Sequence, residues 1–156
     1  MTEPRWLVLT WRLPSTSSSP RVATWRSLKR LGAVSLTPGA VIVPYTEHLL
    51  EQLEWIAEDV VQRGGDAYVL PVTELPEADE REIERRMRTA RGEEYQHLRE
   101  AAVDLARRGR ETPDYERKLG VLERGLARAV ERDHFKSTRR SGAERAIRVA
   151  RKREEA

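Results

Sequence analysis

Cysteine is absent from this sequence of 156 residues. The absence excludes disulfides, zinc–thiolate sites and cysteine nucleophiles, and it makes a reducing, cytoplasmic compartment the default expectation. The sequence also lacks an apolar run approaching the roughly 20 residues of a membrane-spanning helix. Its N-terminus lacks the basic region and the small-residue cleavage site of a secretory signal. We therefore expect a cytoplasmic protein that does not contact a membrane.

Histidine is scarce as well, with only His48, His97 and His134. Glu94–His97 and Glu131–His134 match the Glu-x-x-His spacing of metal sites in helical bundles. In a simple helical hairpin, however, the two histidines would lie about 13 Å apart along the helix axes, too far to share a metal. No nucleophile stands near a general base, and no glycine-rich loop is present to hold phosphate. We expect no metal, no cofactor and no enzymatic activity.

Acidic and basic residues are abundant but unevenly distributed. The formal net charge is +3, from 29 Lys and Arg against 26 Asp and Glu. Residues 1–72 hold seven of each sign, and residues 73–135 hold 14 basic and 16 acidic residues. Residues 136–153 hold eight basic residues against Glu144 alone. The excess positive charge therefore lies near the C-terminus, where a basic segment can neutralise phosphates.

The first half of the sequence alternates strand and helix patterns. "RWLVLTWRL" and "AVIVP" have apolar residues at both odd and even positions, and so on both faces of a strand. This pattern is typical of central strands that are covered on both faces. Between them, Ser19 is the predicted N-cap of a helix that has Pro20 at its first position and ends near Gly32. "AVSL" and "AVIVP" form a predicted hairpin, since Pro38 and Gly39 suit the centre of a type II turn.

A second helix is predicted to begin at Thr46 and to end at Gly64 and Gly65, before the strand "DAYVLPV". Its buried face follows a spacing of three and four residues and comprises Leu49, Leu50, Leu53, Ile56, Ala57, Val60 and Val61. The resulting order, βαββαβ, is that of a ferredoxin-like α+β domain, with the first and third strands as the inner pair. We assign residues 1–74 to this domain.

Residues 75–156 are predicted to form a helical extension with a basic C-terminal segment. One long helix has the apolar positions Ile83, Met87, Ala90, Leu98, Ala101, Ala102 and Leu105, and Gly92 is a candidate kink. A second helix, predicted to begin at Pro113, has the stripe Tyr115, Leu119, Leu122, Leu126 and Val130. These two helices should form an antiparallel hairpin. A basic terminal helix should follow, with its apolar side formed by Ala143, Ile147 and Ala150.

A basic cluster also lies in the first predicted helix, "WRSLKRLGAV". Arg26, Lys29 and Arg30 share one arc, opposite Leu28 and Leu31. The pattern suits a surface that faces phosphates, and it equally suits a solvated helix face or ion pairs with the acidic second helix. The candidate nucleic-acid contacts in the whole sequence are Arg26, Lys29, Arg30, Lys136, Arg139, Arg140, Arg148, Arg151 and Lys152.

Several of these segments resemble the N-terminal region of the ChrB chromate-resistance regulators. The resemblance rests on the aromatic-led first strand, Val22, Trp25, Arg26, "RLGA" from Arg30 to Ala33, Gly39 to Pro44, Glu54–Trp55, Gly64–Gly65 and "RDHF" from Arg132 to Phe135. It covers residues 5 to about 136. It implies a regulator that binds promoter DNA and responds to the oxyanion chromate. Regulators of that family continue into a second, C-terminal domain, whereas this sequence ends at Ala156. We therefore expect this chain to be of the N-terminal type alone.

Two functions therefore remain open from the sequence. The first is a DNA-binding transcriptional regulatory module of chromate resistance. The second is a non-enzymatic interaction or scaffold protein that dimerises and binds no nucleic acid. Because the charged helices of the extension carry narrow apolar stripes, we expect a homodimer in either case.

Overall fold

The computed structural model describes residues 3–14 and 18–155, with side chains to residue 153. This part of the chain is a mixed α+β structure with one antiparallel sheet of four strands and five helices. The elements, in chain order, are β1 (Trp6–Arg12), α1 (Ser19–Arg30), β2 (Val34–Thr37), β3 (Ala40–Pro44), α2 (Glu47–Gln62), β4 (Asp66–Val72), α3 (Glu77–Arg108), α4 (Tyr115–Glu131) and α5 (Arg140–Glu155). The chain divides into two compact units, Met1–Glu84 and Arg85–Ala156. In the part that the structure describes, no helix combines the length and the apolarity needed to cross a bilayer.

The sheet has the order β2-β3-β1-β4, and every neighbouring pair of strands is antiparallel. Leu7 and Leu9 of β1 pack with Leu28 of α1 and Leu53 of α2 in one core. Ile42 of β3 alternates to the opposite face and is also fully buried. The prediction that β1 and β3 are central strands, covered on both faces, is therefore confirmed.

The β2–β3 hairpin turns at Pro38 and Gly39, as predicted. Gly39 has a φ of +84°, a conformation that favours glycine. A Cβ atom added to Gly39 would lie 2.6 Å from the carbonyl oxygen of Trp11. The backbone N–H of Trp11 donates to the carbonyl oxygen of Gly39 at 2.7 Å. This turn therefore needs glycine both for its conformation and for its close approach to β1.

The two helices of the first unit begin differently. The Thr46 hydroxyl accepts a hydrogen bond from the backbone N–H of Leu49 at 3.0 Å, so Thr46 is the N-cap of α2. The predicted cap of α1 was wrong by one residue: Ser18 precedes the helix, and it forms no side-chain cap bond.

The outward side of α2 is acidic and carries exposed apolar groups. Trp55 is 68% exposed and Val61 is 55% exposed, so placing Val61 on the buried face was wrong. Val61 is one residue beyond the buried Val60, about 100° further around the helix. The exposed glutamates of this side are Glu47, Glu51, Glu54 and Glu58.

The second unit is built from three helices that pack around two apolar clusters. Leu105 of α3, Leu119 of α4 and Ile147 of α5 are buried together. The predicted apolar sides of α4 and α5 are confirmed, and the basic terminal segment is an integral helix of the core. Ala90 and Ala101, two of the apolar positions from which α3 was predicted, are exposed.

Two details of helix boundaries in this unit also differ from the sequence-based expectation. α3 runs without interruption through Gly92, and α4 begins at Tyr115 rather than at Pro113. The residue before α4, Asp114, has a φ of +61°, so the backbone is not helical there.

Candidate nucleic-acid interface

α5 is fixed to its neighbours by polar contacts at its C-terminal half. Arg151 forms ion pairs with Glu123 and, at 2.7 Å, with Glu116, both on α4. Hydrogen bonds to Glu123 and Glu116 raise the pKa of Arg151 above its ordinary value. The Tyr115 hydroxyl donates to the carbonyl oxygen of Ala150 at 2.8 Å. Arg151, predicted as a phosphate contact, is therefore engaged in joining α5 to α4.

The outward side of α5 is a row of exposed cations. Arg145, Arg148 and Lys152 follow one another at spacings of three and four residues, so they lie on one helix face over about 10 Å. Within residues 3–14 and 18–153, none of the three forms an ion pair. We call these three residues the α5 row. Arg145 was not among the sequence-based candidates, although its spacing from Arg148 and Lys152 could have identified it.

A second basic surface lies at the start of α5. A cleft of about 380 Å³ is lined by Arg88 of α3 and by Lys136 and Arg139, with Glu93 as its one acidic residue. Lys136 and Arg139 are exposed, as a phosphate contact requires. Arg140 is also exposed, but it pairs with Glu144 one helical turn away at 2.9 Å.

A buried tyrosine fixes the loop that carries Lys136 through a hydrogen bond to Asp133. Tyr95 of α3 is fully buried, and its hydroxyl donates to Asp133 at 2.9 Å. Asp133 also accepts from the backbone N–H of Ser137, at 3.1 and 3.0 Å. Burial raises the pKa of Tyr95, and the hydrogen bond to Asp133 adds to this effect. Neither residue was predicted from the sequence, although Tyr95 lies three residues before Leu98 and seven before Ala102, a spacing that places it on the apolar face of α3 and could have identified it.

A charged cluster lies beside this contact. Glu94 forms ion pairs with Arg132 and, at 3.1 Å, with Arg91. Burial lowers the pKa of Arg91, and the nearby Glu94 carboxylate opposes this effect. Glu94, a member of one Glu-x-x-His pair, is thus occupied by arginines. Among the described residues, no three metal-ligating side chains come together.

The basic residues of α1 lie in the first unit. Arg26, Lys29 and Arg30 are exposed, while Leu28 is fully buried against the sheet. The Lys29 ammonium lies 5.8 Å from the centre of the Trp25 ring, a cation–π distance. Among the described residues, no ion pair joins these cations to the glutamates of α2. The three side chains are thus available to an external anion.

The structure groups the nine predicted contacts into separate surfaces. Three of them, Arg26, Lys29 and Arg30, lie on α1. Arg148 and Lys152 join Arg145 in the α5 row, Lys136 and Arg139 share the cleft, and Arg140 and Arg151 are paired with carboxylates. Arrays of unpaired cations can neutralise phosphates without reading a base sequence.

This chain is similar in sequence to proteins of one family. Residues 21–155 match the family described as Protein ChrB, N-terminal. A curated relative, Protein ChrB of Cupriavidus metallidurans, is 34% identical over 93 residues, which are 60% of this chain and 28% of the relative. The matched segment is thus under a third of that relative's length. No solved structure matches the chain.

Proposed function

Because the chain belongs to the family of the ChrB N-terminal region, we propose that it is a DNA-binding regulatory module of chromate resistance. The proposal assigns it a binding role in the cytoplasm rather than a catalytic one. We also propose that the first unit has a ferredoxin-like fold. The strand order β2-β3-β1-β4, in which all neighbouring strands are antiparallel, supports this assignment.

The observation that carries the DNA-binding proposal is the α5 row. Its three cations point outward from a helix whose opposite side is fixed in the core, so they are held on one surface. Cations that already have carboxylate partners would have to lose them to contact phosphate, and Arg145, Arg148 and Lys152 have none among the described residues. Each phosphate contact releases condensed counterions, which favours binding at low salt.

The test is a titration of the chain's own upstream DNA at several salt concentrations. The variant Arg145→Gln/Arg148→Gln/Lys152→Gln removes three contacts and retains good helix formers. Since each contact contributes about 0.9 to the slope of log affinity against log salt, the slope should decrease by about 2.7. At 0.1 M salt the same relation gives an affinity loss of up to roughly 500-fold.

A matched control removes the same charge from α4. Lys118, Arg124 and Arg128 are exposed there, and their replacement by glutamine should leave the salt slope unchanged. Equal losses in the two triple variants would refute a role specific to the α5 row. An absence of wild-type binding at ~50 mM salt, where phosphate contacts are strongest, would refute the DNA-binding proposal and favour the interaction or scaffold function.

Chromate enters the proposal as the oxyanion effector. The curated relative is much longer than the segment that matches it, so the test uses this chain alone. If the chain itself senses chromate, adding chromate should change DNA affinity at constant ionic strength, whereas an equal concentration of chloride should not.

A further inference from the structure

We propose that the chain forms a homodimer in which the acidic side of α2 from one copy docks into an arginine-lined groove between α3 and α5 of the other. The inference concerns a protein interface rather than a DNA-binding surface, although the groove shares Arg145 with the α5 row. It rests on two surfaces that complement each other in charge and in apolar content.

The groove has a volume of about 410 Å³ and is lined from two helices. Each helix supplies an arginine, a valine and another arginine at successive four-residue spacings, which place them on one face over about 12 Å. The six residues are Arg99, Val103 and Arg107 on α3, and Arg145, Val149 and Arg153 on α5. Among the residues with described side chains, none that lines the groove is acidic.

The floor of the groove is apolar and open to solvent. Val103 is 50% exposed and Val149 is 44% exposed, although each lies between two arginines. Two exposed valines in one groove indicate a surface that gains from being covered. Arg99 and Arg145 have no carboxylate partner among the described residues, so they are available to pair with a docking helix.

The outward side of α2 has the opposite charge and the same apolar content. Glu47, Glu51, Glu54 and Glu58 lie within a 60° arc over about 16 Å, with Trp55 beside them. None of these four carboxylates has an ion-pair partner among the described residues. An amphipathic helix that lies in a groove typically places such a large side chain in the apolar floor.

A second copy of the chain is the occupant that these features specify. Every copy carries both surfaces, so a two-fold dimer can use each surface twice. The glutamates of α2 and the arginines of the groove attract each other at matching positions, which fixes how far the helix lies along the groove. The same arginines disfavour a positively charged partner.

The test is a charge exchange read by light scattering at high micromolar concentration. The wild type should have twice the 18.0 kDa mass of the chain. Arg99→Glu/Arg107→Glu in the groove and Glu54→Arg/Glu58→Arg on α2 should each reduce the mass to that of one chain. An equimolar mixture of the two variants should restore the double mass, because both interfaces of the mixed dimer again join opposite charges.

The control Arg124→Glu/Arg128→Glu makes the same charge change on α4 and should leave the dimer intact. A monomeric wild type, a dimer in either interface variant, or a mixture that stays monomeric would overturn the proposal. Circular dichroism verifies that each variant is folded, as expected for exposed positions.

The dimer and the DNA-binding row are separable by experiment. The variant Arg148→Gln/Lys152→Gln removes two cations of the α5 row that lie outside the groove lining, so it should still dimerise while the salt slope of DNA binding decreases by about 1.8. If the groove instead holds DNA, Arg99→Glu/Arg107→Glu would weaken DNA binding while the wild-type protein had the mass of one chain, which contradicts the dimer.

Discussion

Replacing Tyr95 with phenylalanine should destabilise the protein through one hydrogen bond. The ring is fully buried and is retained in the variant, so packing changes little, while the donor to Asp133 at 2.9 Å is lost. A hydrogen bond to a charged acceptor contributes about 1.5–3 kcal/mol to the free energy of unfolding. We expect a loss of that size at pH 7, measured by urea unfolding.

Tyr115 provides the matched control for this substitution. It is also buried, but its hydroxyl donates at 2.8 Å to a neutral acceptor, the carbonyl oxygen of Ala150. Tyr115→Phe should therefore cost only about 0.5–1.5 kcal/mol. Equal losses in the two variants would refute the argument that the Asp133 carboxylate makes the Tyr95 contact the stronger one.

The same substitution should change the response to alkaline pH. The pKa of Tyr95 is raised in the folded state, so the folded protein keeps this proton while an unfolded tyrosine releases it above about pH 10. Its stabilising contribution is therefore complete below pH 10 and is lost as the pH rises further. In Tyr95→Phe, the decrease of unfolding free energy above pH 10 should be shallower by up to about 1.4 kcal/mol per pH unit. A profile parallel to that of the wild type would contradict the raised pKa.

Two further substitutions test the turn of the sheet and the basic side of α1. Gly39→Ala should destabilise the fold by at least about 2 kcal/mol in urea unfolding, because alanine is strained at positive φ and its Cβ would meet the Trp11 carbonyl; a loss below about 0.5 kcal/mol would contradict this reading. Lys29→Gln/Arg30→Gln should change stability by less than about 1 kcal/mol, since both side chains are exposed. If α1 contacts DNA, the salt slope of this variant should decrease by about 1.8, and an unchanged slope would exclude α1 from the binding surface.

Local sequence signals were sufficient for the elements of the first unit. Thr46 caps α2 through Leu49, three residues away, and Pro38 and Gly39 favour their turn through their own backbone conformations, although Gly39 also closely approaches Trp11 of β1. The two-sided apolar pattern of β1 and β3 likewise indicated their central place, because a strand can be apolar at every position only where both faces are covered.

Contacts between distant residues explain what the sequence did not reveal. The pattern of "RVARKR" marks Arg151 as basic, yet its role depends on Glu116 and Glu123, which are separated from it by 35 and 28 residues. Tyr95 and Asp133 are 38 residues apart and meet only when α3 and the loop after α4 pack together. Such packing decides whether a cation is free or paired with a carboxylate. The sequence therefore identified most of the basic residues of the candidate surface, but not which of them form ion pairs.

The exposure of Trp55 gives the chain an optical reporter. Of the four tryptophans, Trp6 is buried and Trp11 and Trp25 are partly buried, whereas Trp55 is 68% exposed. An indole in water emits at longer wavelength than a buried one and is quenched by dissolved acrylamide, a neutral molecule that the glutamates beside Trp55 do not repel. The most quenchable part of the intrinsic fluorescence therefore comes from the outward side of α2. Anything that covers this side will shift that emission to shorter wavelength, so its occupancy can be followed in the unlabelled protein.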